Sequence, residues 1–401
     1  MMEVITRSID VAKKKKMIIL IAILTIVIVK VVWVVCATWS NGSLQREKND
    51  IFKRRDYLLG KVVTDPKRLI DEMPSAVGEQ FQGEWALYSC SMLSAALVNM
   101  TLLYEEDREE SVANIDSLIQ IVLSPELREY DRKRWHEDPL ESLDGPRSHV
   151  SYISHLAWMI GGYKLIGGDG KYDKLYHSLC EAMNRRILAS PALNLQTYPG
   201  ESVYIPDMLV AIVALKVYSQ LYGGRYSSTV ERWVDEAKTH MLDGLTGIVA
   251  SYLPTYKIEK ALELPVKGSY SALSCYYLTF VDEEFARDQY ERLKQNFRKR
   301  FPFSGFREYH NRSCPIGMDI DAGPIIFNLS PTGTAFAVGS ATYFGDRKLR
   351  KRLLRTGEIA GSSVTWKGKR HYLLANVALV GEAIMLAMRT ATDWRPEAAE
   401  K

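Results

Sequence analysis

One local pattern recurs along this chain and limits what it can fold into: an aromatic residue near the end of a small-residue helix, a short glycine or acidic turn, then a more charged helix. Tyr163 before Gly167-Gly168-Asp169-Gly170, Tyr218 before Gly223-Gly224, Tyr277 before Asp282-Glu283-Glu284 and Tyr343 before Gly345-Asp346 are successive instances, 55, 59 and 66 residues apart. Self-similarity at a long, nearly fixed spacing is the mark of a repeat architecture, in which each unit buries its apolar face against its neighbours. Past residue 45 apolar positions follow three- and four-residue spacing with few alternating β-branched runs, so the body is expected to be all-α.

Reading outward from the turns predicts helix pairs at 84–104/109–123, 149–166/171–189, 206–222/226–242, 269–281/283–299 and 331–344/346–359. A sixth pair can be made from the apolar stretch Tyr372 to Thr390 and the segment Arg46 to Leu59, which would close the ring from the other end of the chain. The first helix of each pair is rich in small residues, as in Ser89, Ser91, Ser94, Ala95 and Ala96 or Gly333, Ala335, Ala337, Gly339, Ser340 and Ala341, which suits a crowded inner ring. The second helices carry the charges of an outer ring with one wet face. The expected fold is an (α/α)6 toroid over 81–395; an irregular or open helical solenoid is the alternative. Connections within pairs are short, whereas 135–148, 190–205, 243–268, 300–330 and 360–371 are long and collect at one end, rich in Tyr, Pro, Gly and carboxylates. Long connections in compact domains tend to carry function.

The N-terminus differs from everything after it. Met17 to Thr38 is apolar apart from Lys30, and about 20 such residues in a helix span the roughly 30 Å of bilayer hydrocarbon. A membrane anchor over 17–38 is expected, preceded by a basic tail, 1–16, and followed by a linker or collar, 39–80, that includes the first helix and Pro66 and Pro74. The rival is a secretory signal with Val35-Cys36-Ala37 as its cleavage site, although the apolar run exceeds the usual h-region of about 7–15 residues. Lys30 can snorkel to the headgroups. Arg7 and Lys13 to Lys16 on one side face Arg46, Lys48, Lys53, Arg54 and Arg55 on the other, but the four lysines abut the span on a very short tail while the downstream charges begin several residues later, which favours a cytoplasmic N-terminus and an extracytoplasmic body. The first 40 residues hold 6 Lys/Arg and 2 Asp/Glu, leaving 46 of each sign in the remainder. A neutral body with no recognition-helix or zinc-finger spacing offers nothing to nucleic acid. Cys90, Cys180, Cys275 and Cys314 are spread without metal-type spacing and could form two disulfides or none.

Two stretches carry candidate chemistry. In 190–205 and the helix start after it, Tyr198, Glu201, Tyr204 and Asp207 stand together, with Pro206 at the first helical position. Asp207 reads either as a dipole-matched helix start or as a carboxylate held at low pKa, a base or nucleophile at the mouth of the toroid. Asp319-Ile320-Asp321-Ala322-Gly323-Pro324 offers two carboxylates on one side of an extended piece, where mutual repulsion would raise one pKa and supply an acid; turn or cap carboxylates are the plainer reading. His155 is either a satisfied core histidine or a proton carrier, and Tyr152, one turn before it, is expected to bind substrate together with Tyr198, Glu201 and Tyr204. His155 does not share an i, i+4 face with His149, so no metal site is expected. Gly167 to Lys171 lacks the phosphate-loop spacing, there is no dinucleotide fingerprint, and no cofactor is expected.

The segments SYISHLAWMIGGYKLIGGDGKYDKLYHSL, TYPGESVYIPDMLVAIVAL with KVYSQLYGGRYSSTVERWV, and KGSYSALSCYYLTFVDEEFARDQYERLKQNF, spanning Ser148 to about Phe301, resemble the bacterial linalool dehydratase/isomerase-like proteins, which adopt an (α/α)6 toroid. The resemblance implies that His155 and Tyr270 fall on pocket positions that handle water at an allylic alcohol. It also implies a pair of cysteines where this chain has Thr197 and Pro206, a departure that argues against cysteine-assisted dehydration. The functional expectation is therefore a membrane-anchored enzyme with carboxylates in the toroid mouth, Asp207 as base and Asp319 or Asp321 as acid, acting on a hydroxylated substrate such as a cell-envelope carbohydrate. A lyase or isomerase on a small isoprenoid alcohol and a non-catalytic glycan- or partner-binding scaffold are the alternatives.

Overall fold

The structure is a computed structural model and describes residues 2–39, 44–74, 78–105, 107–190, 192–253, 265–373 and 379–395. In chain order its helices begin with α1 (Met2–Ala37), α2 (Leu44–Val62), α3 (Pro66–Asp71), α4 (Glu79–Tyr104), α5 (Arg108–Leu123), α6 (Pro125–Trp135), α7 (Val150–Leu165) and α8 (Asp173–Ala189). They continue with α9 (Ile205–Leu221), α10 (Ser227–His240), α11 (Gly268–Val281), α12 (Glu283–Asn296), α13 (Pro331–Tyr343), α14 (Arg347–Gly361) and α15 (Leu379–Arg389).

Six of these, α4, α7, α9, α11, α13 and α15, each pack on the next, and α15 closes back onto α4. Around this inner ring stand α5, α8, α10, α12 and α14, each reached from its inner partner by a short turn, with α2 as the sixth outer stave against α15 and α4. The chain is an (α/α)6 toroid. Its inner helices are buried nearly all round: α9 runs Ile205 to Leu215 without an exposed residue. By composition α4 would pass for a membrane span, yet 83% of its apolar window is buried, because it is a core stave. Close approach explains the small residues. A Cβ on Gly161 of α7 would lie 2.6 Å from the Tyr176 hydroxyl, and one on Gly268, which opens α11, 1.9 Å from the Arg307 carbonyl oxygen.

Since all inner helices run the same way, their N-termini and the long connections share one end, the mouth. These connections are more ordered than the sequence suggests. One contains α6, another α3 with Asp65 accepting from the Arg68 N–H as its cap. Four antiparallel strand pairs occupy the others: β1 (Val203–Tyr204) with β2 (Tyr252–Leu253), which ties two connections together, and the hairpins β3 (Arg298–Lys299) with β4 (Gly305–Phe306), β5 (Ile316–Asp319) with β6 (Gly323–Ile326), and β7 (Ser363–Trp366) with β8 (Lys369–Tyr372). The last inner helix accordingly starts later than expected, because Tyr372 ends a strand; residues 374–378 lie outside the described residues. At the opposite end the bore is closed by aromatics. Trp158 meets Tyr277, Phe280 and Trp394 at ring-centroid distances of 5.6, 5.8 and 5.6 Å, and Trp394 donates to Asn99 Oδ1 at 2.7 Å.

The segment Arg46 to Leu59, expected to complete the ring, lies in α2, which is latched by buried charge. Arg54 donates to Glu382 Oε1 at 2.6 Å and to Asp50 Oδ2 at 3.2 Å; Arg389 pairs with Asp50 at 2.6 Å; Glu47 receives Arg350 Nη1 at 3.1 Å. All five cysteines are free thiols, and Cys90, Cys180 and Cys275 are buried.

The apolar stretch near the N-terminus, Lys14–Ala37, is helical and has the length and hydropathy of a membrane span or a signal sequence. Residues 14–29 are exposed, but from Lys30 onward the helix lies on α14. Lys30 donates to the Glu358 carbonyl at 3.5 Å and bonds the Ser362 hydroxyl, Trp33 donates to Glu358 Oε1 at 3.2 Å, and Val34 and Thr38 are buried.

Removing one partner of a fully buried ion pair leaves the other charge uncompensated, at a cost of about 3–5 kcal/mol. Glu47→Ala should therefore lower the unfolding free energy by about that much. Urea denaturation of the purified protein checks it; a change within experimental scatter would show that the latch contributes nothing.

Candidate active site

The mouth gathers carboxyl groups from the starts of α4 and α9, which stand on either side of α7. Asp207 lies in the first turn of α9, as the Pro206 signal implied, and its Oδ1 accepts from the Tyr88 hydroxyl of α4 at 2.8 Å. One turn before Tyr88 on the same helix is Glu84, which the sequence reading passed over. Its carboxyl is pushed up to about 8, by burial first and then by the charge of Asp207, against a smaller opposing pull from Arg134 and a hydrogen bond with Tyr198. Glu84 Oε2 is buried with no hydrogen-bond partner.

Asp207 behaves differently from the low-pKa carboxylate that its helix start predicted. Burial raises it to about 6, while hydrogen bonds from Tyr88 and Thr197 pull it part of the way back, and the charges of Asp321 and Glu201 push it up further. The magnitudes explain the reversal. A helix N-terminus is worth about 0.3–1 kcal/mol, less than one pKa unit, whereas full burial shifts a carboxyl by up to about 3–5 units.

Asp319 and Asp321 converge, but on a cation. Asp319 ends β5, its Oδ1 accepts from the backbone N–H groups of Asp321 and Ala322 at 3.0 Å each, and this turn brings both carboxylates to Lys267 Nζ, at 2.8 and 2.7 Å. The expected mutual repulsion is replaced by attraction to the ammonium. Burial pushes Asp319 up, yet its hydrogen bond and charge contact with Lys267 outweigh that and hold it below the ordinary carboxylate value. Asp319 is therefore ionised and does not serve as the expected acid. Lys267 itself immediately precedes α11, and Glu308, 3.6 Å from its ammonium, accepts from the Ser269 N–H at 3.1 Å and hydroxyl at 2.7 Å. No sequence motif flagged Lys267, Glu84 or Tyr88; the only signal was their position at the mouth ends of inner helices.

The tyrosines divide. Tyr204, Tyr252 and Tyr270 form an aromatic wall with centroid separations of 5.5, 6.1 and 5.1 Å, and Lys267 Nζ sits 5.0 Å from the Tyr270 ring. Tyr270 senses the charges of both Asp321 and Asp207, which puts the wall beside the carboxyl pair. Tyr198 shares a hydrogen bond with Ser151 at 3.0 Å and lies under the Arg134 guanidinium, 3.7 Å from its ring. Glu201 is held at the rim by Arg134 at 2.9 Å and by the Tyr204 hydroxyl at 3.0 Å. Tyr152, expected at the site, is instead a core residue: it is fully buried and donates to the Val122 carbonyl of α5 at 2.8 Å, because its position on α7 turns outward from the bore. His155 does face the bore, 4.4 Å from the Tyr88 ring. Burial drives its pKa down to about 3, so it is neutral, and neither ring nitrogen has a hydrogen-bond partner.

The arrangement therefore offers a protonated carboxyl, Glu84, and a nearby carboxyl that ionises near pH 6, Asp207, beneath a tyrosine wall and above a neutral histidine. No protein-family model matches the chain. Among solved structures, it is similar to a family 105 glycoside hydrolase of C. acetobutylicum ATCC 824, with 9% sequence identity and a TM-score of 0.51 over 77% of this chain and 93% of that one. At that identity the likeness is one of fold, and it agrees with the toroid built above from helix packing.

Tyr88→Phe removes a hydrogen bond that favours ionised Asp207, so the Asp207 pKa should rise above its value of about 6. Carboxyl-selective NMR or difference infrared titration reads this directly, and an unchanged or lower value would show that Tyr88 does not tune the group.

Proposed function

We propose that this chain is a membrane-anchored toroidal enzyme that cleaves a hydroxylated substrate, a cell-envelope carbohydrate, by general acid–base catalysis at Glu84 and Asp207. The observation that carries this reading is the separation of the two carboxyls: between about pH 6 and 8 one is protonated and the other ionised. That is the state an acid–base pair needs at neutral pH. Glu84 acts as the acid that protonates the leaving glycosidic oxygen, and Asp207 as the base that takes a proton from the attacking water, the division of labour of carboxylate glycosidases. Tyr204, Tyr252 and Tyr270 give a sugar ring flat apolar faces and hydroxyl partners. Asp319, held ionised by Lys267, and Asp321, paired with the same ammonium, hold the rim of the site. One solved structure with a similar fold is a glycoside hydrolase, which supports the carbohydrate assignment by analogy.

For α1, the anchor reading over a cleaved signal rests on its contacts with the body. Cleavage at Val35-Cys36-Ala37 would discard Lys30, Trp33 and Val34, which are built into the surface of α14. Lys13 to Lys16 then lie on the cytoplasmic side and the toroid outside it. The lyase reading on an isoprenoid alcohol is weaker. An apolar pocket around His155 with no carboxylate near it would favour that chemistry, and Asp207 is only one tyrosine away from His155.

Glu84→Gln and Asp207→Asn should each lower kcat by about 10²–10⁴-fold, the usual contribution of a positioned acid or base. The wild-type kcat/KM should be bell-shaped, with limbs near pH 6 and 8. A panel of aryl glycosides and envelope-glycan fragments incubated with full-length protein provides the assay. Saturable glycan binding without turnover would replace the enzyme with a binding scaffold. Intact-mass measurement of the membrane-extracted protein should find residues 30–36 retained; a mature chain beginning after Cys36 would overturn the anchor.

A further inference from the structure

The contacts between α1 and α14 fix a direction as well as an attachment. Lys30 meets the Glu358 carbonyl and Ser362 at the C-terminal end of α14, whereas α2, the next helix in the chain, opens with Glu47 on Arg350 near the start of α14, so α1 heads from the end of α14 toward its start and the two helices run antiparallel. Outer helices end at the mouth. The exposed apolar residues 17–29 of α1 therefore extend past α14 on the mouth side of the toroid, not away from its closed end.

The surface around the same stave is unusual. Among the described residues, the exposed large apolar side chains outside α1 and Trp39 all belong to the mouth-side ends of outer helices or to the connections between staves. Most belong to the two connections that flank α14: Phe301, Ile316, Met318 and Phe327 on one side, Trp366 and Leu373 on the other, with Ile316 84% and Trp366 71% exposed. The first connection touches α14 directly, through the Thr356 hydroxyl donating to the Ser304 carbonyl at 2.6 Å, and the second continues from its end. At the tip of β7–β8, Trp366 is followed by Lys367, Gly368 and Lys369, all exposed. An indole beside lysines suits the headgroup layer, where the ring sits among lipid carbonyls and the ammonium groups meet phosphates. Exposed apolar side chains gathered on two connections beside one stave of a folded body mark an interaction surface.

We infer that this sector of the mouth rim, β5–β6 with the β7–β8 tip, docks into the same bilayer that α1 crosses, so that the carboxyl site opens onto the headgroup layer and takes the head of a membrane-resident amphiphile. The inference rests on the reading of α1 as a membrane anchor. Two attachments, a spanning helix and an interfacial rim, fix the tilt of the toroid, which one helix alone would leave free. A soluble polymer approaching from the aqueous side meets the closed end. The hydroxylated head of a lipid-linked glycan meets the tyrosine wall.

Depth-dependent quenching on full-length protein in phosphatidylcholine nanodiscs tests the geometry. With Cys36→Ala and Cys314→Ser as background, single cysteines at Ile23, Met318, Trp366 and Lys348 carry an environment-sensitive fluorophore. Lys348, exposed near the start of α14, marks the closed end. The expected result is strong quenching at Ile23 by spin label deep in the acyl chain, strong quenching at Met318 and Trp366 by spin label near the headgroup, and several-fold stronger iodide quenching at Lys348 than at either. Lipid quenching at Ile23 with free iodide access at Met318 and Trp366 would overturn the docked mouth while leaving the anchor intact. Iodide access at Ile23 would remove the anchor itself and the inference with it. For the substrate side, maleimide-polyethylene glycol should modify Glu201→Cys at the rim several-fold more slowly in nanodiscs than in detergent. Equal rates would show that the mouth stays open to polymers in solution.

Discussion

The ring closes through a helix drawn from the far end of the sequence. α2 lies between α15 and α4 only because Glu47, Asp50 and Arg54 meet Arg350, Arg389 and Glu382 in a buried network. Each charge in it has an opposite partner within hydrogen-bond reach, which is the condition for ions to be tolerated away from water. Burial alone would push Asp50 up, but the guanidinium groups of Arg389, Arg54 and Arg370 overcome it and hold the carboxyl well below its ordinary value. Without this stave the outer faces of α4 and α15, the first and last inner helices, would be open to solvent. The site at the mouth thus depends on charges that stand apart from it.

Parallel inner helices account for the chemistry of the mouth. Because every inner stave begins at the same end, residues widely separated in sequence, Glu84, His155, Asp207 and Lys267, are brought around one opening by ring geometry. The aromatic plug of Trp158, Tyr277, Phe280 and Trp394 closes the other end, so water reaches the carboxyls from one side only. Desolvation on that scale is the main cause of the raised proton affinity of Glu84 and Asp207 and of the neutral state of His155. The opposite behaviour of Asp319 follows from a single ammonium 2.8 Å away.

The toroid was legible because its signals are local and repeated. Small-residue helices, aromatic positions and glycine or acidic turns return at each hairpin, and their succession names inner and outer staves in order. The site was legible only where a turn signal coincided with a carboxylate, at Pro206-Asp207 and in 319–324. Tyr152 misled because its spacing from His155 places it one helical turn away, yet the α7 helix rotates it toward Val122. Glu84 gave no sign because a carboxylate near the start of a helix is ordinary until its surroundings are known.

By itself the sequence determined the repeat, the all-helical class, the apolar N-terminal helix and the end of the bundle where long connections gather, since each follows from periodicity within a few tens of residues. Only the tertiary structure decided which carboxyl is protonated, where Lys267 stands and which way α1 runs along α14. Those outcomes depend on burial and on partners 50 to several hundred residues away in the chain, and the energy of a charge is set by what surrounds it in space.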